Sequence, residues 1–479
     1  MPVSMTWFFV PRILSAVFVV AILVVITRVL GPADFARYNL TMLLGTILFS
    51  FTFLWLVIAI SRFHHAKEFE GTTIAMTLGA GAILSVMVLV VSVIASLILP
   101  GAWVDGLFYA AIFSVSLAMH EVGTTCLRLY HEGPKFAAVT LLRHALGVAF
   151  AIGLVLSGGG YKSAVIGMSL GAALTGAYAL GIALKKSGIA WPQLSAIKTY
   201  LWFGFPLAVV ASSSTFFAMS SQSLLAALAG LEVAGYFAAA QALATRTLGL
   251  LMSTIMRVVA PSVFEMQEKH GTASSNAYLE RYFSFLMLVS IPLAAALICA
   301  PEVLASLLFE ADFVENSSEY LRILTLGSFI FGLQGAYISF SFTRAKRTGL
   351  QLTITCCALI AHVILSYLII ELLGARGAAL AFALSALLSF MAYQYFGRKI
   401  DPVTVPAPEI YKAIAGIVAF VPLGLVANSS SGLPVQLGLL TLAAVAMFAT
   451  LVAVKQTAAL VVVAKIRRGL NIGEFPSLK

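Results

Sequence analysis

The 479 residues carry 29 Lys and Arg against 19 Asp and Glu, a formal net charge of +10, with 61% hydrophobic and only 10% charged side chains. Water-soluble globules carry about 25% charged residues, so this composition, with a mean hydropathy of +1.02, excludes one and describes an integral membrane protein. The basic balance is not gathered into a soluble domain, which excludes nucleic acid as a partner and leaves orientation signal and attraction to anionic lipid as its meaning.

Apolar runs long enough to cross a bilayer as helices recur throughout, and a helix satisfies its own backbone polar groups there. Fourteen are expected, at roughly 7–28, 39–61, 74–99, 106–127, 137–157, 161–184, 200–222, 234–260, 280–300, 319–343, 349–372, 377–397, 409–427 and 434–454. The first could pass for a secretory signal, but Arg12 lies inside it and no small-residue cleavage site precedes Arg28, so it reads as a retained helix. Arg12 follows Pro11 and precedes the apolar stretch Ile13 to Ile26. Its guanidinium suits bidentate contact with a phosphate in a cavity, or it snorkels to the headgroups; both readings stay open.

In the fourth and fifth runs, Glu121 and Arg143 are placed to form an intramembrane pair, with His120 and His144 beside them. The seventh carries Ser212, Ser213, Ser214, Thr215, Ser220, Ser221, Gln222 and Ser223, a hydroxyl load that fits either close helix packing or a water-filled groove. In the eighth, Arg246 is too deep for easy snorkelling and follows Gln241 by five residues, so it is expected to face a cavity. His362 in the eleventh reads as an interhelical hydrogen bond, and the tail beyond Lys455 as a short helix on the membrane surface or a plain flank.

The chain repeats. Trp7-Phe8-Phe9-Val10-Pro11 is answered 195 residues later by Trp202-Phe203-Gly204-Phe205-Pro206. Gly31 with Tyr38 is answered by Gly230 with Phe237, and Arg128 with Gly133 by Arg344 with Gly349. The expected architecture is all-α: two pseudo-symmetric six-helix lobes, 1–190 and 195–400, followed by two additional helices and a tail over 405–479. Two repeats meeting at a midplane cavity are a common design for alternating access. With the N-terminus inside, 21 of the 29 basic residues fall on its side and five opposite, which sets both termini in the cytoplasm and the acidic stretch from Glu302 to Glu319 outside.

No Cys/His constellation, phosphate-binding loop or paired carboxylates stand out, and the four cysteines lack metal-ligand spacing, so neither enzyme activity, metal nor cofactor is expected. Several segments resemble bacterial polysaccharide flippases of the Wzx type, in the multidrug/oligosaccharidyl-lipid/polysaccharide exporter superfamily. They are Thr27 to Tyr38, Phe203-Gly204-Phe205-Pro206-Leu207, Gly235-Tyr236-Phe237 and Leu373 to Ala381. The resemblance spans residues 1 to about 400. It implies a cavity lined by helices 1, 2, 7 and 8; with a lipid-linked substrate whose tail stays in lipid, that cavity is expected to open sideways between helices 1 and 8 or 2 and 7. It also implies transfer of an undecaprenyl-diphosphate-linked oligosaccharide from the cytoplasmic to the periplasmic leaflet of the bacterial inner membrane. Arg12, Arg246, Gln241, Gln222 and Ser213 are the expected contacts, and a polysaccharide polymerase and chain-length proteins the expected protein partners.

One departure concerns coupling. Many members carry an acidic residue near the end of helix 7, where this chain has Ser220-Ser221-Gln222-Ser223. A multidrug exporter of the same superfamily is the competing function, disfavoured because three buried arginines suit anions better than lipophilic cations. A polymerase or ligase is the competing class, disfavoured by short outer loops without histidine.

Overall fold

A computed structural model describes residues 18, 23–64, 72–98 and 102–467, and the side chains of all of these except 102–105 and 465–467. Among the described residues every regular element is a helix. Among the described residues ten helices are long and apolar enough to cross a membrane, and the chain is a multi-pass membrane protein.

The burial pattern makes the solvent plain. Thr73–Ile98 is the most apolar of the ten, yet only 6% of its most apolar window is buried. Val86, Val91, Leu97 and Ile98 stand 60% or more exposed along it, at 61%, 62%, 80% and 70%. In water this helix would be turned inward; with its backbone satisfied and its side chains outward it belongs against lipid.

We number the helices α1 (23–29), α2 (Pro32–Phe63), α3 (Thr73–Ile98), α4 (Ala102–Leu129), α5 (Gly133–Leu154), α6 (Gly160–Ser187), α7 (Leu194–Ala211), α8 (Ser213–Ala229), α9 (Leu231–Cys299), α10 (Pro301–Ser306), α11 (Ala311–Leu333), α12 (Phe340–Arg344), α13 (Thr348–Ile400), α14 (Ala407–Ser429), α15 (Leu433–Ala453) and α16 (Thr457–Arg467). As a straight rod, the 69 residues of α9 would reach about 100 Å, over twice the thickness of a bilayer. It is broken at Gly271, where φ is +79° and ψ 177°, a backbone conformation that a side chain would strain. Gly374 breaks α13 in the same way, with φ +56° and ψ −134°. The polar stretch 261–280 is therefore helical apart from this one glycine, because hydropathy reports contact with lipid rather than helicity.

The residues form two compact units. The first comprises 1–238 with 355–375, the second 239–354 with 376–479. In the first unit α6 packs against α4 and α5 through small residues. A Cβ on Gly171 would stand 2.5 Å from Gly147 N and 2.6 Å from Arg143 O, a backbone approach that only glycine permits.

In the second unit a core of Tyr282, Phe283, Tyr337, Phe340 and Phe342 is closed by hydrogen bonds from both tyrosines. Tyr282 donates to Ala336 O at 3.0 Å and Tyr337 to Thr404 O at 2.7 Å. The closing helix is tied to this unit by a buried polar knot. Ser284 Oγ donates to Glu409 Oε2 at 2.6 Å, and Gln456 Nε2 donates to Ser284 O at 2.7 Å. Gln456 Oε1 accepts Ala459 N–H at 2.8 Å, capping α16.

Candidate functional site

The hydroxyl-rich seventh segment is not one straight helix. Pro206 removes a backbone donor inside α7, and the chain leaves helical geometry at Ser212, with φ −97° and ψ 3°, before α8 begins. Facing it, α2 changes pitch at the same depth through the π-helical turn Ser50–Leu54. The two irregularities meet: Ser212 Oγ donates to Ser50 Oγ at 2.7 Å, and Ser50 Oγ donates to Thr46 O at 2.8 Å. Both serines are buried.

Three turns further along, Asn39 Nδ2 donates to Gln222 Oε1 at 2.7 Å, also buried. At the far end the start of α9 touches α2, where a Cβ on Gly235 would collide with the carbonyl of Pro32. At the opposite end Phe63 stacks on Tyr200, with ring centroids 5.3 Å apart. Within the first unit the seam between α2 and the α7–α8 pair is therefore closed along its length, by polar pairs in its middle and by close contacts at its ends.

A third helix joins this seam. His362 of α13 stacks on Phe217, with ring centroids 4.7 Å apart at 28°. Its Nε2 lies 2.9 Å from Ser221 Oγ and 3.2 Å from Phe217 O. A carbonyl only accepts, which assigns the ring hydrogen to Nε2.

The expected site residues are distributed as follows. Gln222 and Ser213 lie on α8, Gln222 buried in the seam and Ser213 half-buried. Gln241 and Arg246 lie on α9 in the second unit, Gln241 buried and Arg246 half-buried. Glu121 and Arg143 are brought together, Arg143 Nη1 donating to Glu121 Oε1 at 3.2 Å. His120, next to Glu121, instead meets Thr175 Oγ1 at 3.0 Å. Arg12 lies outside the described residues.

Sequence reasoning missed Asn39, whose single polar amide at the edge of an apolar run was the available signal, and Ser50. It also passed over Arg344 as a buried side chain, reading it as a repeat landmark and an orientation charge. That side chain is fully buried in the second unit, its Nη2 donating to Asp401 Oδ1 at 2.9 Å and its Nη1 to Asn276 Oδ1 at 2.9 Å and Ser275 Oγ at 3.0 Å.

Residues 25–318 match the family described as polysaccharide biosynthesis protein. The chain belongs to that family. No curated protein matches it. Among solved structures it is similar to the lipid II flippase MurJ in an inward closed conformation, at 13% identity over 93% of this chain and 98% of that one, with a TM-score of 0.74. An inward-facing multidrug resistance MATE family transporter of the MOP superfamily is 17% identical over 83% of this chain and 97% of its own, TM-score 0.61. A MOP superfamily transporter from Pyrococcus furiosus is 16% identical over 83% and 95%, TM-score 0.58. At these identities the likeness is one of fold, and this family member has the transporter fold that MurJ and the MATE proteins share.

Proposed function

We propose that this protein is a flippase for a polyprenyl-diphosphate-linked oligosaccharide, carrying it from the cytoplasmic to the periplasmic leaflet of the bacterial inner membrane for assembly of a surface polysaccharide. The observation that carries the reading is the conjunction of a polysaccharide biosynthesis family match over residues 25–318 with a transporter fold. A polysaccharide-assembly protein with that fold has a lipid-linked sugar intermediate as its natural cargo, since such sugars are built on one side of a membrane and used on the other.

Lipid II is itself a diphosphate-linked glycolipid, and the MurJ structure aligns with about a tenth more of the chain than the multidrug transporters do, at a higher TM-score. A tenth of this chain is the size of two membrane helices. Both points favour the lipid-linked cargo over the multidrug reading.

The chemistry needed is recognition and movement, without covalent steps. A diphosphate held in a low-dielectric groove requires a cation that keeps its charge there, and arginine does so while offering a planar fork of donors. Arg246 is the residue we assign to this task, with Gln241 five residues before it on the same helix, and with Arg12 of the first segment as a second contact. The two six-helix repeats alternate their access while the polyprenyl tail stays in lipid. The seam between α2 and the α7–α8 pair is closed within the first unit, which counts against a lateral exit for the tail there.

The basic-residue asymmetry supports cytoplasmic termini and a periplasmic acidic stretch around Asp312. A polysaccharide polymerase and chain-length proteins are the partners this role implies.

Deletion of the gene tests the reading in cells: surface polysaccharide should disappear while its lipid-linked precursor accumulates, protected from periplasmic glycosidases. Undiminished polysaccharide with new sensitivity to lipophilic cations would assign the chain to drug export instead. Precursor accumulating in the periplasmic leaflet would point to a polymerase or ligase.

A further inference from the structure

The two repeats turn the same corner with opposite charge. After α4, His131 takes φ +57°, its N–H bonds Arg128 O at 3.1 Å, Glu132 N–H bonds Leu127 O at 2.9 Å, and α5 starts at Gly133. After α12, Lys346 takes φ +56°, its N–H bonds Thr343 O at 3.3 Å, Arg347 N–H bonds Phe342 O at 2.9 Å, and α13 starts at Thr348. The backbone pattern superimposes with a shift of 215 residues, one fewer than the Arg128–Arg344 spacing in the sequence. Glu132, the residue preceding α5, thus corresponds to Arg347, the residue preceding α13.

In the first corner the basic side chains are answered internally. Lys186 Nζ lies 2.8 Å from Glu132 Oε1 and over the Tyr130 ring, and Lys135 Nζ lies 3.0 Å from Glu132 Oε2. Lys186 and then Lys135 hold the Glu132 carboxyl below the usual carboxylate range. In the second corner no described carboxylate pairs with Lys346, Arg347 or Lys399, and Asp401 is taken by Arg344. The three cations, with Gly349, Leu350 and Ile400, line a recess of about 580 Å³. Lys346 and Arg347 precede a helix start, where a cation opposes the helix dipole, so these two store an electrostatic cost that a bound anion would remove.

The recess opens beside a lipid-facing stripe. Leu384, Leu388, Met391 and Tyr395, spaced as one helical face, are 45%, 51%, 57% and 57% exposed, and Lys399 continues the stripe into the recess. Its Nζ lies 2.7 Å from Tyr395 Oη and 4.2 Å from the ring centroid. Tyrosine at this point of a stripe marks the headgroup level. From Leu384 to Tyr395 the helix rises about 16 Å, close to the roughly 15 Å depth of one leaflet.

We propose that this recess is a binding site for an anionic glycerophospholipid, its phosphate among Lys346, Arg347 and Lys399 and its acyl chains along Leu384 to Tyr395. With the orientation proposed above, the lipid is drawn from the cytoplasmic leaflet. Unlike a transported cargo, it stays against the second unit and ties the end of α13 to the membrane surface, supplying the anion that the first corner has in its own Glu132.

Native mass spectrometry of the full chain, released from nanodiscs holding equal phosphatidylglycerol and phosphatidylethanolamine, tests the site. The wild-type chain should retain phosphatidylglycerol preferentially. Arg347→Glu, which gives this corner the charge of the first, and Arg347→Glu with Lys399→Ala should weaken retention on the order of tenfold or more. Arg347→Lys should keep it, and Lys185→Ala in the other repeat should leave it unchanged. If Arg347→Glu does not purify as a monodisperse protein, Arg347→Gln and Lys399→Ala are read instead.

Phosphatidylglycerol retention equal to wild type in these variants overturns the proposal. So does equal retention of the two lipids by the wild-type chain. Displacement of the lipid by millimolar inorganic phosphate would mean that the recess takes a soluble anion rather than a lipid.

Discussion

Arg246→Ala should abolish surface polysaccharide while the protein remains inserted and abundant. A forked contact to a diphosphate consists of two charge-assisted hydrogen bonds, and losing both should slow translocation on the order of a hundredfold or more. Arg246→Lys keeps the charge without the fork and should retain partial export. The residue is half-buried on α9, so truncation leaves no large void and abundance should hold. Complementation of a deletion strain, with the protein quantified in membranes, reads both quantities. Wild-type polysaccharide from the alanine variant would remove Arg246 from the mechanism, and an absent protein would make it a structural residue.

Arg344→Ala should act on stability instead. The Arg344 side chain is fully buried and holds Asp401, Asn276 and Ser275 together at 2.9 to 3.0 Å. Removing it strands a carboxylate that is only 11% exposed, and breaking one side of such a pair typically costs about 3–5 kcal/mol. In detergent-solubilised protein the unfolding temperature should fall by about 3–5 degrees. Arg344→Leu with Asp401→Leu should recover much of the loss, since no orphan charge remains. An unchanged melting temperature for the single variant would show that Asp401 finds water instead.

Much of the fold was legible because lipid imposes one rule on sequence: long apolar runs, helical throughout. The sequence paired Arg128 and Gly133 with Arg344 and Gly349, whereas the two corners correspond one residue earlier, Gly133 with Thr348, because the turn is set by backbone geometry and not by the residues that look alike. Helix ends were less legible. The run 200–222 was read as one span, whereas the helices extend from Leu194 to Ala229 with a break at Ser212; hydropathy does not register Lys198 and Thr199 as helical, nor a kink whose residue is as polar as its neighbours.

The seam was legible on one side only. Gln222 stood out in the sequence, but its partner Asn39 lies 183 residues away and only folding couples them. Glu121 and Arg143 were easier, since opposite charges inside neighbouring membrane helices have few other places to go. Arg344 was misjudged because a basic residue next to a helix end is usually an orientation signal, and nothing in the local sequence announces that Asp401 folds back onto it.

The central claim, translocation of a diphosphate-linked glycolipid, is tested most directly in proteoliposomes. The purified chain is reconstituted with a fluorescent polyprenyl-diphosphate oligosaccharide, and a membrane-impermeant glycosidase is added outside. With active protein, substrate from both leaflets should be cleaved; with Arg246→Ala, only the outer half should be. Cleavage limited to the outer leaflet by wild-type protein, while the same vesicles move a lipophilic cation, would contradict the flippase account.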